Sequence, residues 1–417
     1  MLVTLAYGAD GLSIDVPDDA VVVNGEEAPP LQDEAEAIRR ALAAPLSGPA
    51  LADLVGKGET VAVVFPDLTR PMPNTTVLPP LLAELARLGA GPDRVELLCA
   101  TGTHRQATPE ELSNLLGPDL VSRYRIHDHR ADDDDHVDVG AVDGARILLD
   151  RRYLAADVRI VTGFVEPHFF AGWSGGPKAV CPGLAATSTI LEAHSPARIA
   201  DPAATWLTTA GNPVHEFVTR ATALCPPDLA VDVTLDRRRG LTGVFVGALP
   251  DGHREACAFA ERTVTTVVDG PFEVVVTTNG GYPLDRNLYQ AVKGLAAAER
   301  VVAGGGTIIL AAACLDGVPD GGAFAGLLAG ATDAASLARP GGPARVDGWQ
   351  AQVLGRVLER AEVWVRSDGV TDDEVRTALM NPGDDVSAAV RQALDRHGPG
   401  ARVCVLPRGP LAVASLL

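Results

Sequence analysis

Three short runs of aliphatic and β-branched residues constrain the fold more tightly than any other feature of the chain: 60–66 (TVAVVFP), 94–100 (RVELLCA) and 157–162 (DVRIVT). The first is an apolar run of the kind typical of a strand buried on both faces of a parallel sheet, and the other two read as strands beside it. The first two discharge into polar clusters followed by helical periodicity. After the first come Asp67-Leu68-Thr69-Arg70-Pro71 and a helix over 76–88. After the second come Thr101-Gly102-Thr103-His104 and a helix that opens at Pro109, with Thr108 as its cap. Strands and helices in alternation predict a doubly wound α/β unit, in which ligands bind at the carboxyl ends of the strands. Asp67, Arg70 and His104 therefore stand where a site belongs. A turn in which Asp67 caps the next element and pairs with Arg70 would use two of the same residues.

The third run leads into the densest stretch, 162–196, which reads TGFVEPHFFAGWSGGPKAVCPGLAATSTILEAHSP. It sets His168, Lys178 and His194 around a glycine-rich turn, in which Gly175, Gly176 and Pro177 bring backbone up to the lysine. Glycine serves where backbone approaches something closely or takes a positive φ, and a lysine flanked by two histidines suits covalent or metal chemistry. Taken alone, the stretch also fits a surface loop with one solvated lysine, because its histidine spacing matches no standard zinc pattern.

Strands over 229–236 and 241–248 and a helix over 252–261 continue the first unit. A second begins at 272–278 (FEVVVTT), turns at 279–283, and runs through a helix over 287–299 to a strand over 307–313, a β-α-β unit with a right-handed crossover. Its helix carries Tyr289, Gln290 and Lys293 at neighbouring positions. Strands over 363–366 and 403–406 complete a smaller sheet. At the front, 2–16 alternate around Gly8 to Gly11 as a hairpin does, and 31–44 form a helix with acidic residues early and Arg39-Arg40 late. A chain of 417 residues exceeds the roughly 250–300 at which single cores stop growing. The reading is thus two α/β domains, a larger, doubly wound, Rossmann-like one at 1–267 and a smaller one at 268–417, with the site in the cleft between them.

A formal charge of −19 and a pI near 4.8 repel phosphate backbones and anionic headgroups, so neither nucleic acid nor membrane is an expected partner. Cations inside motifs become correspondingly informative. The six cysteines are scattered singly, as buried free thiols in a reducing compartment would be. With no basic, apolar leader and no apolar run near 18 residues, the expectation is a soluble cytoplasmic protein. The acidic run 127–136 (HDHRADDDDH) could ligate a hard metal and serve a hydrolase, but such runs are usually solvated loops, and no phosphate-binding glycine loop accompanies it.

Six motifs occur in a familiar order: P-D-L-T-R-P at 66–71, T-G-T-H at 101–104, P-H at 167–168, G-G-P-K at 175–178, E-A-H-S-P at 192–196 and Y-Q-x-x-K at 289–293. Over nearly its whole length the chain resembles the nickel-pincer-nucleotide lactate racemase family. The resemblance implies an enzyme that inverts a 2-hydroxy acid at its hydroxyl-bearing carbon. The implied cofactor is a nickel-pincer nucleotide, a pyridinium-3-thioamide-5-thiocarboxylic acid mononucleotide joined covalently to Lys178, with His194 as the protein's ligand to Ni2+ and other enzymes making the cofactor. His104 and His168 would be the acid/base pair. Asp67, Thr69, Gly175 and Gly176 are assigned to the cofactor, and Arg70, Lys293, Gln290 and Tyr289 to the substrate; Trp349 either walls the site or fills the smaller core. Histidines near neutrality suit proton traffic in both directions, and nickel accepts sulfur and imidazole. A non-catalytic protein that binds or stores the cofactor or a hydroxy acid is the rival reading; it predicts His104 and His168 apart from Lys178.

Overall fold

The computed structural model describes residues 1–26, 28–56 and 58–417. One six-stranded sheet has the spatial order Leu241–Gly247, Leu229–Leu235, Val158–Phe164, Val61–Pro66, Val95–Ala100, Arg125–Asp128. All its pairings are parallel except that of Leu241–Gly247 with Leu229–Leu235. The apolar runs behave as their pattern requires. Val61, Val63 and Phe65 point into one core while Ala62 and Val64 point into another, the two-residue period of a strand covered on both sides. Helices form where the periodicity places them. Asn74–Arg87 buries Val77, Leu78, Leu81, Leu82 and Leu85, and Pro109–Leu116 opens with a reciprocal capping box between Thr108 and Glu111.

The second six-stranded sheet is parallel throughout, in the order Asn381–Pro382, Ala361–Arg366, Val302–Ala311, Phe272–Thr278, Val403–Leu406, Val21–Val22. Its last strand comes from the front of the chain. The hairpin Leu2–Leu5 with Leu12–Asp15 forms as expected, yet Leu5, Ile14 and Val16 pack with Val274, Val276 and Ile309 of this sheet. Residues 1–22, placed in the first domain by sequence order, thus lie on the second. The apolar alternation that makes a hairpin says nothing about which core receives it. The strand Thr265–Val268 likewise pairs with Val413–Leu416.

Each sheet has an outer core of its own, and one continuous core joins their inner faces through the segment between Phe169 and Ala221. That segment carries the glycine-rich turn, so the stretch richest in reactive side chains lies between the sheets. The six cysteines are free, and all but Cys225 are buried. Among the described residues no helix is long and apolar enough to cross a membrane.

Candidate active site

A cavity opens where the carboxyl ends of the first sheet meet the helix Leu288–Glu299 of the second unit. Asp67, Arg70, His104, His168, Gly175, Lys178 and His194 line it from one side, and Tyr289, Gln290, Lys293 and Trp349 from the other. Residues far apart in sequence are brought together, and His104 and His168 share the cavity with Lys178. Two expected residues are not on its wall. Thr69 donates its hydroxyl to Asp67 Oδ1 at 2.7 Å and borders the wider cleft outside, while Gly176 turns its N–H away, to Asp232.

The two histidines are held in different ways. His104 Nδ1 lies 2.8 Å from Asp67 Oδ2, at the end of the strand Val61–Pro66. Burial acts to raise the Asp67 carboxyl, but the charge and hydrogen bond of His104, with Thr69 and Arg70, outweigh it and hold its pKa below the usual carboxylate range. An ionised carboxylate can only accept, so His104 donates through Nδ1, and Nε2 is the nitrogen left to face the cavity. His168 is buried between Phe169, stacked at 4.8 Å, and Phe170, edge-on at 4.6 Å. Its Nδ1 accepts the Ala171 N–H at 3.2 Å, which leaves the proton of the neutral ring on Nε2. Burial, then Lys178, Arg70, Lys293 and His194, pushes this imidazole well below its ordinary pKa, so it is neutral at pH 7.

Three basic side chains crowd the same space in a protein of net charge −19. Lys178 has no carboxylate partner among the described residues; its Nζ lies 5.9 Å from the Phe170 ring centroid. Burial first, then the charges of Arg70 and Lys293, drives its pKa well below the normal lysine value. The same two causes, burial and Arg70, bring Lys293 to about 7, and its Nζ donates to Gln290 Oε1 at 2.6 Å. Arg70 faces Glu166 at 3.7 Å. Glu166 was not anticipated from the sequence, although it belongs to the E-P-H string at 166–168.

His194 caps the carboxyl end of the helix Thr187–Ala193, with its ring 4.7 Å from Trp349 and 5.2 Å from Phe170. Its Nδ1 is buried without a hydrogen-bond partner, and burial, with Lys178 and His104, lowers its pKa to about 3. A buried, neutral imidazole with an idle nitrogen is competent to bind a metal. Trp349 walls the site: its Nε1 donates to the Tyr289 hydroxyl at 2.9 Å, and Gln350 ties down the Tyr289 carbonyl.

Behind the glycine turn lies a buried network that sequence reading missed. Asp232 accepts the Gly176 N–H at 3.0 Å and holds His253 Nδ1 at 2.9 Å, while His253 Nε2 reaches Cys257 Sγ at 3.4 Å. Burial acts to lower the His253 pKa, but Cys257 and Asp232 raise it to about 10. The signal was Asp232 itself, one charge inside the apolar strand Leu229–Leu235. The acidic run also differs from a solvated loop. His129 is buried, with Nδ1 on Asp150 at 2.9 Å and Nε2 on the Ala185 carbonyl at 3.1 Å, and His136–Val142 begins a second hairpin. His127, His129 and Asp150 come close enough to share a cation, but the Arg152 guanidinium already sits 3.5 Å from His127 Nε2.

A cleft between two largely parallel sheets, holding a buried lysine of lowered pKa, two oriented histidines and fixed cations, defines a two-domain α/β enzyme. Residues 7–206 match the lactate racemase N-terminal domain family, and residues 267–414 the lactate racemase C-terminal domain family. The chain is 31% identical to the lactate racemase of Thermoanaerobacterium thermosaccharolyticum, across 98% of this chain and 97% of that protein. It is 34% identical to that of Lactiplantibacillus plantarum, across 90% of each. The structure of the lactate racemase apoprotein from T. thermosaccharolyticum superposes with a TM-score of 0.92 at 30% identity, covering 99% of this chain and 100% of that one. A Thermotoga maritima protein, 19% identical with a TM-score of 0.68 over 94% of this chain and 100% of that one, shares the fold. The chain belongs to the lactate racemase family, and it is an isomerase.

Proposed function

We propose that this chain racemises lactate or a similar 2-hydroxy acid in the cytoplasm, using a nickel-pincer nucleotide attached at Lys178 and made by other enzymes. The residues fit that group. Lys178 is a buried amine whose pKa is held well below the ordinary lysine value, without a carboxylate partner among the described residues, hence more nucleophilic than a solvated lysine, and His194 offers a neutral imidazole with an unpartnered buried nitrogen, a donor nickel accepts beside sulfur. Once bound, the nucleotide supplies a hydride acceptor, which avoids ionising a C–H bond of very low acidity.

The chain's own groups do the rest. Arg70 offers a planar fork to the substrate carboxylate, and Lys293, oriented by Gln290, a second charge from the opposite wall. His104 takes the hydroxyl proton at Nε2 while Asp67 steadies the ring from behind. His168 presents Nε2–H as a hydrogen-bond donor; it takes a proton only when its Ala171 contact is released, and it gives one back only from the imidazolium so formed. The two rings therefore serve opposite hands of the substrate from different resting states. Phe170 and Trp349 keep water from the reacting carbon.

The observation that carries this reading is the meeting of His104, His168 and Lys178 in one cavity with Arg70 and Lys293. The test is to produce the chain with and without the cofactor-making enzymes and follow optical purity of single-enantiomer 2-hydroxy acids. Activity should track an adduct on Lys178 in intact-mass spectra, and both should vanish in Lys178→Ala. Full turnover by adduct-free, metal-stripped protein would overturn the assignment.

A further inference from the structure

The charges around Arg70 define how many carboxylates the cavity can hold. Glu166 has both backbone polar groups fixed, its N–H on Ser174 Oγ at 3.0 Å and its carbonyl on the Ser174 N–H at 2.9 Å. Its carboxylate, with a side chain only 12% exposed, meets Arg70 from behind. Arg70, Lys293, His168 and Phe169 stand between the main cavity and a small one at the back, and Glu166 lines the small one and not the main one. Burial and Arg70 depress both Lys178 and Lys293, and Glu166 is the largest charge acting in the opposite sense on each. It is thus the counter-ion of Arg70 and acts on the two lysines at longer range. The other carboxylate near the cluster, Asp67, is engaged by His104 and Thr69.

With Arg70 shared with Glu166, the cations the cavity offers an incoming carboxylate are Arg70 and Lys293, on facing walls. Phe164, Phe169, Phe170, Ile190 and Trp349 make the apolar part of its wall, beside neutral polar groups such as Thr101, Ser174 and Gln290. The arginines of the outer cleft are engaged as well: Arg105 by Glu111, Arg286 by Asp316 and Arg130 by Asp132. With Lys178 joined to the cofactor and Arg70 and Lys293 both used on the carboxylate beside the reacting carbon, a second carboxylate on the substrate would be buried with no further cation among the described residues of the wall to meet it, which is strongly unfavourable.

We propose that Glu166 is a specificity residue that restricts the site to 2-hydroxy monocarboxylates with uncharged side chains, by occupying Arg70 from behind. The inference rests on the racemase reading and deepens it. The test compares lactate with malate for racemisation by loaded enzyme. Calorimetric binding of 2-hydroxy-2-methylpropanoate and 2-hydroxy-2-methylbutanedioate to the same protein runs beside it, since neither has a hydrogen to lose at the hydroxyl carbon. The parent should favour the monocarboxylate at least tenfold in both assays. Glu166→Gln, which frees Arg70 at nearly constant shape, should shift both ratios toward the dicarboxylate by roughly ten- to a hundredfold, the value of one charged hydrogen-bonded contact. Glu166→Asp, which keeps the charge, should retain the parent's preference. A parent that treats the two classes alike overturns the proposal even if Glu166→Gln does not fold. So does a Glu166→Gln protein that loses both substrates by the same factor. If the loaded parent racemises no 2-hydroxy acid, the racemase reading falls, and the calorimetric ratios still decide the role of Glu166.

Discussion

Gly176→Ala is the sharpest test of how the lysine turn is held. Gly176 has φ +50°, and a Cβ built there would lie 2.4 Å from His253 Cγ, 2.7 Å from its Nδ1 and 2.8 Å from its Cδ2. The ring cannot swing aside, because Asp232 holds one nitrogen and Cys257 meets the other. An alanine in the left-handed region costs ~1–2 kcal/mol, and overpacking a filled interior ~1–3 kcal/mol. Together they cost about 2–5 kcal/mol, a large share of a typical stability of about 5–15 kcal/mol. The relief available is for the turn to retreat, which carries Lys178 away from the cavity, since Lys178 N–H is bonded to the Gly175 carbonyl at 3.1 Å. Denaturant unfolding should register the loss, and intact mass should register a fall in adduct on Lys178. Gly304→Ala is the control, a strand position where an added Cβ meets nothing within 4 Å, and it should change stability by less than ~0.5 kcal/mol. In a His253→Ala background the Gly176→Ala penalty should shrink by at least ~1 kcal/mol, as coupled neighbours require. A Gly176→Ala protein as stable as the parent, with full adduct, refutes the argument.

Arg70→Lys should raise KM and lower kcat together, because a point charge cannot reproduce two parallel hydrogen bonds; roughly 1.5–3 kcal/mol, or one to two decades in kcat/KM, is expected, and an unchanged kcat/KM removes Arg70 from the site. His104→Ala and His168→Ala should each abolish net racemisation while sparing the half-reaction of opposite enantiomers, seen as an absorbance change of the bound cofactor. One variant racemising within about tenfold of the parent while the other is dead would instead favour a single-base mechanism. Lys293 carries a pH signature in stability: its folded pKa of about 7 lies below the ordinary 10.5, so between those values the unfolded chain binds more protons and stability rises with pH. The stability of Lys293→Met relative to the parent should therefore be greatest below pH 7 and decline toward pH 10; a pH-independent difference in melts at pH 6 and 9 contradicts this.

Much of the site was legible because strand ends are legible. Val61–Pro66 and Val95–Ala100 announce themselves by composition, and the residues just past a buried parallel strand sit at the ligand-binding edge; Asp67, Arg70 and His104 came from that rule alone. The glycine turn was also visible, but its cause was misjudged for Gly176. Sequence reading placed that glycine against the cofactor, whereas its missing side chain makes room for His253 behind the turn. Glu166 and Asp232 act through partners that only the tertiary fold supplies, and no local period reports such pairs. The hairpin His136–Val142 with Ala145–Asp150 was hidden by the aspartates before it, although Asp143-Gly144 between two short runs is a strong two-residue turn signal. Membership of Val21–Val22 in the second sheet depends on pairing with Val403–Leu406, at the far end of the chain, and is invisible to any window.

That pairing has a mechanical consequence. The chain starts on the second lobe, crosses to the first between Val22 and the helix Glu34–Ala43, and crosses back where the helix Asp251–Val264 gives way to Thr265–Val268. The two crossings touch, for Glu26 N–H is bonded to the Thr263 carbonyl at 2.7 Å. Two lobes joined by a single thread can tumble and twist; two lobes joined by a pair of threads pinned to each other have a door's freedom. Any widening of the cleft to admit a nucleotide would have to part the shared core while this strap holds, which favours return of Lys293 and Tyr289 to the same register against Arg70 and Lys178.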